Sequence, residues 1–241
     1  MIDLHCHILP GVDDGAADPD TACRMAALAA DCGVRYICAT PHCNTRDSRK
    51  NYRSPELERA FAALNEELDR WRIPVRVLPG AEVLARSNLE ELLDRGALQT
   101  LNNSRYLLVE FYFDEVPEEM TRRLEAVARS GLVPVIAHPE RYFAVQDRPF
   151  LALGWAERGW PLQLNQGSIL GDLGEGAYDA AGWLLRRHAA SVLASDAHDA
   201  LRRSPRPDLL REELEQRFPQ LDPEELLRHN PMKILKNLEL G

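Results

Sequence analysis

Residues 1–15 read MIDLHCHILPGVDDG. A short run with strand character at 2–5 leads into His5-Cys6-His7 and then breaks at Pro10-Gly11. Alternate residues of a strand point to one face, so His5 and His7 project together from its C-terminal end. The same unit recurs along the chain, a short apolar run with a ligand-type residue at its end. Further runs lie at 34–40 (VRYICAT), 75–82 (VRVLPGAE), 106–111 (YLLVEF), 133–138 (VPVIAH), 161–165 (PLQLN) and 191–196 (SVLASD). Helical patterns separate them, at roughly 18–32, 54–71, 87–94, 117–130, 147–158, 175–188 and 207–217, with two short helices expected near 223–228 and 231–238. Ser54-Pro55-Glu56 and Asp222-Pro223-Glu224 each place a capping residue before a proline, which marks a helix start.

Seven strands alternating with helices imply parallel pairing through right-handed crossovers. An open doubly wound sheet and a closed barrel both satisfy that pattern. The ligand-type residues separate the two. The runs end in His5 and His7, His42, Glu82, Glu110, His138, Asn165 with Gln166, and Asp196 with His198. In an open sheet only the strands beside the switch point reach one site, whereas every strand of a barrel ends at the same mouth. The expectation is an α/β fold: a distorted seven-stranded (β/α)7 TIM-like barrel, one domain over residues 1–241, with a metal site at the C-terminal mouth of the strands.

The chemistry follows from the residue types. Glu110 stands in an otherwise apolar run, and a lone buried carboxylate is costly unless paired or metal-bound. Asp13-Asp14-Gly15 follows the Pro-Gly turn and offers a further carboxylate. Five imidazoles and up to four carboxylates at one mouth exceed what a single tetrahedral zinc needs. They suit a cluster of two or three divalent cations bridged by a carboxylate such as Glu82. Mixed imidazole and carboxylate ligation accommodates manganese, iron or zinc. His188, after a basic helix, and His229, before Asn230-Pro231, fall outside this pattern as surface or capping residues.

Composition bounds the rest. The 241 residues are 45 % apolar and 28 % charged, as in ordinary globular proteins, and the formal net charge of -9 argues against nucleic acid as a partner. No apolar run reaches the length of a membrane span, so no membrane insertion is expected. No basic-then-apolar leader precedes His5, so the expected location is the cytoplasm. Five cysteines, Cys6, Cys23, Cys32, Cys38 and Cys43, lack CxxC spacing and read as reduced, mostly buried thiols.

These residues resemble the polymerase and histidinol phosphatase (PHP) superfamily. Its marks are D-x-H-x-H at the N-terminus, TPH at the second strand and D-x-H at the last. Here they stand as Asp3-Leu4-His5-Cys6-His7, Thr40-Pro41-His42 and Asp196-Ala197-His198. The stretches GAE (80–82), LNNSRYLLVEF (101–111), PVIAHPERY (134–142), LASDAH (193–198) and NPMKIL (230–235) are similar to the CpsB-type branch. Members of that branch are manganese-dependent protein-tyrosine phosphatases encoded with capsule and exopolysaccharide genes. The resemblance implies three ions: His5, His7, Glu82 and Asp196 on the first; the bridging Glu82 with Glu110 and His138 on the second; Asp14, His42 and His198 on the third. It implies Arg141 as a phosphate-binding arginine and Arg203 as a second, with Arg202 and Arg206 nearby. Cys43 stands where many relatives carry another histidine. The implied substrate is a phosphotyrosyl protein, in particular a tyrosine kinase controlling polysaccharide synthesis, attacked by a hydroxide held between two ions. Phenolate, with a pKa of about 10, leaves without a strong acid, and Asp199 is a candidate for weak assistance.

Three other readings compete. His42-Cys43-Asn44-Thr45-Arg46-Asp47-Ser48-Arg49 has the H-C-x5-R spacing of thiolate phosphatases, yet its loop lacks glycine and leaves the remaining ligands without a use. A small-molecule phosphatase, of histidinol phosphate or nucleotide type, would use the same metals. A non-catalytic metal-binding domain would use them without turnover.

Overall fold

The computed structural model describes residues 1–46 and 50–240. Among these residues lie nine strands: β1 Ile2–Cys6, β2 Tyr36–Ala39, β3 His42–Cys43, β4 Arg76–Pro79, β5 Glu82–Leu84, β6 Tyr106–Glu110, β7 Val133–Ala137, β8 Leu162–Asn165 and β9 Ala190–Ala194. The helices between and after them are α1 Pro19–Asp31, α2 Pro55–Arg70, α3 Leu89–Asp94, α4 Pro117–Arg129, α5 Phe143–Asp147, α6 Phe150–Glu157, α7 Gln166–Leu170, α8 Glu175–Leu185, α9 Pro207–Arg217 and α10 Asn230–Leu235. Every strand pair is parallel.

In place of one seven-stranded ladder, the strands pair as two sheets, β1-β2-β4 and β3-β5-β6-β7-β8-β9. The seven runs yield nine strands because two runs break. Pro41 has no N–H for a ladder, and Thr40 before it makes the last contacts to β1. The Thr40 N–H donates to the Cys6 carbonyl and its Oγ1 accepts from the Cys6 N–H, both at 3.0 Å. The run at 75–82 breaks at Gly80, where a Cβ would sit 2.7 Å from Cys38 Sγ. Beyond the breaks β3 and β5 pair with each other, which sets His42 directly opposite Glu82.

The chain after β9 returns to β1. The Asp196 N–H donates to the His5 carbonyl and the His7 N–H to the Ala197 carbonyl, both at 2.8 Å, and Cys6 and Ala197 form an isolated parallel bridge. Asp3 explains the first position of the D-x-H-x-H stretch. Its buried carboxylate accepts from Ser195 Oγ at 2.5 Å and Ser195 N at 3.1 Å, pinning the two segments together.

Helix caps follow the expected logic. Asp18 and Ser54 accept from Thr21 N and Leu57 N at the starts of α1 and α2, each with proline at the first helical position. Asn65 of α2 clamps β4, accepting from Val77 N and donating to Val77 O. Two helix expectations need correction. The helix expected at 147–158 begins only at Phe150, after Pro149, as α6, and a separate short helix, α5, precedes it. The two short terminal helices run on as one, through a wide π-type turn at Glu225–His229 into α10; Pro231, with no N–H to donate, tolerates that widened ladder. Strand interiors are buried on both faces, as expected of parallel sheets covered by helices; β1 is buried throughout. Among the described residues no helix is long and apolar enough to cross a membrane.

Candidate metal centre

All nine side chains singled out as ligands meet at the C-terminal ends of the strands. His5 and His7 leave β1 fully buried and form the floor. Asp14, His42, Glu82, Glu110, His138, Asp196 and His198 line a cavity of about 480 Å³ above them. His138 and Asp196 adopt left-handed backbone conformations, with φ of 32° and 50°. Non-glycine residues pay about 1–3 kcal/mol for such a conformation, which persists where the surroundings overdetermine it. Here it turns both side chains back over the mouth.

The donor atoms crowd one another. His5 Nε2 lies 3.3 Å from His7 Nε2 and 3.3 Å from Glu82 Oε1. His7 Nε2 is 3.3 Å from both Glu82 Oε2 and Asp196 Oδ1. His138 Nε2 is 2.7 Å from Glu82 Oε1. His42 Nδ1 is 2.9 Å from Glu82 Oε2, yet neither atom makes a well-formed hydrogen bond. Imidazole and carboxylate donor atoms crowded within reach of one another are the donor set a divalent cation takes. Four overlapping groups have donor atoms within 4.8 Å of one another: His7, Asp14, His42, His198; His5, His7, Asp196; His5, Glu82, His138; and His42, Glu82, Glu110. Glu110 and His138 fall in different groups, and Glu82 belongs to both, which places it to bridge them.

Electrostatics agree with that donor chemistry. Burial, and then the charge of Glu82, push the Glu110 carboxyl up to about 7. Burial opposes charge on His42, but Glu82 and Glu110 outweigh it and raise the imidazole to about 10. Burial holds His198 down at about 4, helped by the charge of His7, so it presents the neutral form that ligates. The protein's own imidazoles leave Glu110 incompletely stabilised, and the residues fit divalent cations.

Three side chains outside the ligand set hold this arrangement. Asp13 Oδ2 accepts from His7 Nδ1 at 2.7 Å and from His42 N at 2.9 Å, while Oδ1 accepts from Gly15 N at 3.0 Å. Burial alone would raise its carboxyl; the His7 contact and the two N–H donors outweigh it and hold it at about 2. Gln163 Oε1 pairs with His5 Nδ1 at 2.8 Å, and Asn165 Nδ2 donates to Asp196 Oδ2 at 2.6 Å. Alternation in PLQLN already sets Gln163 and Asn165 on one strand face. Gln166, at the end of the same run, sits outside the cavity lining.

Arg141 and Arg203 converge over the centre. Arg141 Nη1 donates to Asp196 Oδ2 at 3.2 Å with its guanidinium 4.6 Å over the Phe113 ring, and Arg203 Nη2 lies 2.7 Å from Asp196 Oδ2. Arg202 is exposed and Arg206 pairs with Asp208, so of the three neighbouring arginines Arg203 is the one at the cavity. Asp199 does not line the cavity. It accepts from the N–H groups of Leu201 and Arg202 at 2.6 Å and shapes the loop that carries Arg203.

Residues 1–236 match the family model of capsular polysaccharide synthesis proteins CpsB/CapC. The chain belongs to the CpsB/CapC family. This CpsB/CapC chain is 36 % identical over 204 residues to the tyrosine-protein phosphatase YwqE of Bacillus subtilis, covering 85 % of the chain and 80 % of the relative. It is 28 % identical over 243 residues to the tyrosine-protein phosphatase CpsB of Streptococcus pneumoniae, covering 98 % of each. A crystal structure from work on YwqE and CpsB, described there as unique metal-dependent tyrosine phosphatases, superposes with a TM-score of 0.91 at 34 % identity, covering 100 % of this chain and 96 % of that one. The histidinol phosphate phosphatase of Lactococcus lactis superposes at 0.56 with 16 % identity, covering 90 % and 93 %, a likeness of fold.

In this CpsB/CapC chain Cys43 is fully buried, its thiol donating to the Lys50 carbonyl at 2.9 Å. Burial, then the nearby charge of Glu110, push the thiol up to about 12. A neutral, walled-off thiol is not a nucleophile at neutral pH. Arg49, the other half of that motif, lies outside the described residues.

Proposed function

We propose that the chain is a metal-dependent tyrosine-protein phosphatase, hydrolysing the phosphomonoester of phosphotyrosine on a protein in the cytoplasm, in particular a tyrosine kinase that controls capsule or exopolysaccharide synthesis. The observation that carries it is the meeting of nine donor side chains with two guanidiniums at one mouth. We assign three ions, manganese by preference. His5, His7, Glu82 and Asp196 hold one; Glu82 bridges to a second with Glu110 and His138; Asp14, His42 and His198 hold the third. We also read the two sheets as one distorted barrel of seven runs, since β3 and β5 continue the runs of β2 and β4 and the segment after β9 bridges to β1.

Bound divalent ions would lower the pKa of water toward ~7 and offset charge on the phosphoryl group. The protein supplies position. Arg141 and Arg203 offer planar, permanently charged forks to the phosphoryl oxygens, the geometry suited to bidentate phosphate recognition. Phe113 steadies the Arg141 plane from below. Asp13 and Gln163 fix the ring orientations of His7 and His5, leaving Nε2 of each toward the centre. Beyond the assigned ligands, no carboxylate among the described residues lines the cavity, and a phenolate leaving group needs no strong acid.

The test is turnover of a phosphotyrosyl peptide against histidinol phosphate, with metal analysis of the same sample. Activity on the peptide should vanish with EDTA and return with manganese. Metal-independent turnover would sink the reading, and preference for histidinol phosphate would move it to the small-molecule class.

A further inference from the structure

A second groove, of about 420 Å³, adjoins the metal cavity; its walls include Arg46, Arg86, Arg123, Tyr112, Asp114 and Glu115. Arg46 and Tyr112 line both spaces, so the groove continues the mouth. Most arginines with a partner here face a carboxylate, as Arg158 faces Glu125 at 2.8 Å and Arg123 faces Glu115 at 2.6 Å. Arg46 and Arg86 are held differently. Arg46 Nε donates to the Tyr112 hydroxyl at 2.9 Å, and its guanidinium lies 4.1 Å over that ring. Arg86 Nη1 donates to the carbonyls of Asn44 at 3.4 Å and Thr45 at 3.1 Å. Among the described residues, neutral groups therefore orient both cations and leave their charge in place. Among the described lining residues three guanidiniums stand against two carboxylates, a positive balance on a chain whose net charge is -9.

We propose that this groove is a subsite for acidic side chains flanking the phosphotyrosine of a protein substrate, with Arg46 and Arg86 as the residues that read them. The proposal rests on the phosphotyrosine reading and adds a preference to it. A guanidinium already fixed on an aromatic face loses little freedom when it takes a carboxylate, so the contact selects among sequences at small entropic cost. Since the groove is open to solvent, the effect is modest and sensitive to salt.

Two phosphotyrosyl peptides test it on the manganese-loaded protein, one with glutamate on both sides of the phosphotyrosine and one with glutamine at the same positions. The expected ratio of kcat/KM is about fivefold in favour of glutamate at low salt, the size of an exposed charge contact, carried by KM and shrinking as salt rises. Arg46→Glu should bring the ratio to one or below. Ser87→Lys, at an exposed position of the same groove, should raise it. The ratio compares two substrates on one enzyme, so a variant that loses some fold or metal still reports. A wild-type ratio of one, or a ratio unmoved by Arg46→Glu, overturns the subsite while leaving the phosphatase reading intact. Turnover of neither peptide overturns the phosphotyrosine reading and the subsite with it.

Discussion

At the scale of single residues, the centre depends on side chains that touch no substrate. Asp13 holds His7 through Nδ1 and the backbone of His42 at the same time, so one carboxylate sets two ligands from different strands. Supporting contacts of this kind commonly change metal affinity by about 10–100-fold. Asp13→Asn, which keeps the size and removes the charge, should therefore weaken manganese binding by about that factor, read as a shifted activation curve with kcat recovered at high manganese. An unchanged curve would remove Asp13 from that role. Cys43→Ser makes the opposite case. The thiol is buried against Lys50 and faces away from the cavity, so the variant should retain most of its phosphatase activity; abolition with metal content intact would restore the thiolate mechanism. The ligands themselves were legible because histidine and glutamate at the end of an apolar run are rare without a reason. Which aspartate of Asp13-Asp14 does what was legible only through the resemblance, which pointed to Asp14, since the task of Asp13 depends on His42, far along the chain.

At the scale of elements, the runs and their parallel pairing could be read, and the breaks could not. Pro41 and Gly80 stood in plain view, but strand runs tolerate both at edges, and only the packing of Gly80 on Cys38 shows where the ladder must yield. The breaks matter because they carry His42 and Glu82 off the first sheet and set them opposite each other. The loop 10–16 shows the same dependence on close approach. It folds back so that Gly11 N donates to Ala16 O and Ala16 N to His7 O, and a Cβ on Gly15 would sit 1.9 Å from the His7 carbonyl oxygen. That atom is backbone and has no rotamer to yield. Gly15→Ala should cost about 1–3 kcal/mol, the usual range for forced overpacking, and should also loosen metal, because the displaced segment carries Asp13 and Asp14. Thermal unfolding with and without manganese separates the two effects. A variant with wild-type melting and activation would show that the loop gives way freely.

For the molecule as a whole, the surplus of buried negative charge couples metal loading to protons. Glu110 has its carboxyl raised to about 7 in the metal-free fold, against an ordinary value of 4.5. An acid with a raised folded pKa is bound to its proton more tightly in the fold, so its ionisation opposes metal-free stability once the pH rises above the ordinary value. His42, raised to about 10 from 6.5, acts in the other sense: its protonated form favours the metal-free fold below 6.5, and that contribution fades as the pH climbs through 10. A cation must displace both protons, because a carboxylate ligates ionised and an imidazole ligates neutral. Between pH 6 and 8 manganese binding should therefore release protons, and its apparent affinity should rise with pH. Calorimetric titration in two buffers of different ionisation enthalpy measures the release directly. The same titration on Glu110→Gln should release fewer protons at pH 6, where Glu110 is mostly protonated, and nearly as many as wild type at pH 8, where it is already ionised. Proton release equal in the two proteins at pH 6 would remove Glu110 from the coupling. The direction of the wild-type slope is itself decisive: affinity that fell with rising pH would mean that the cluster of carboxylates is not the seat of the cation.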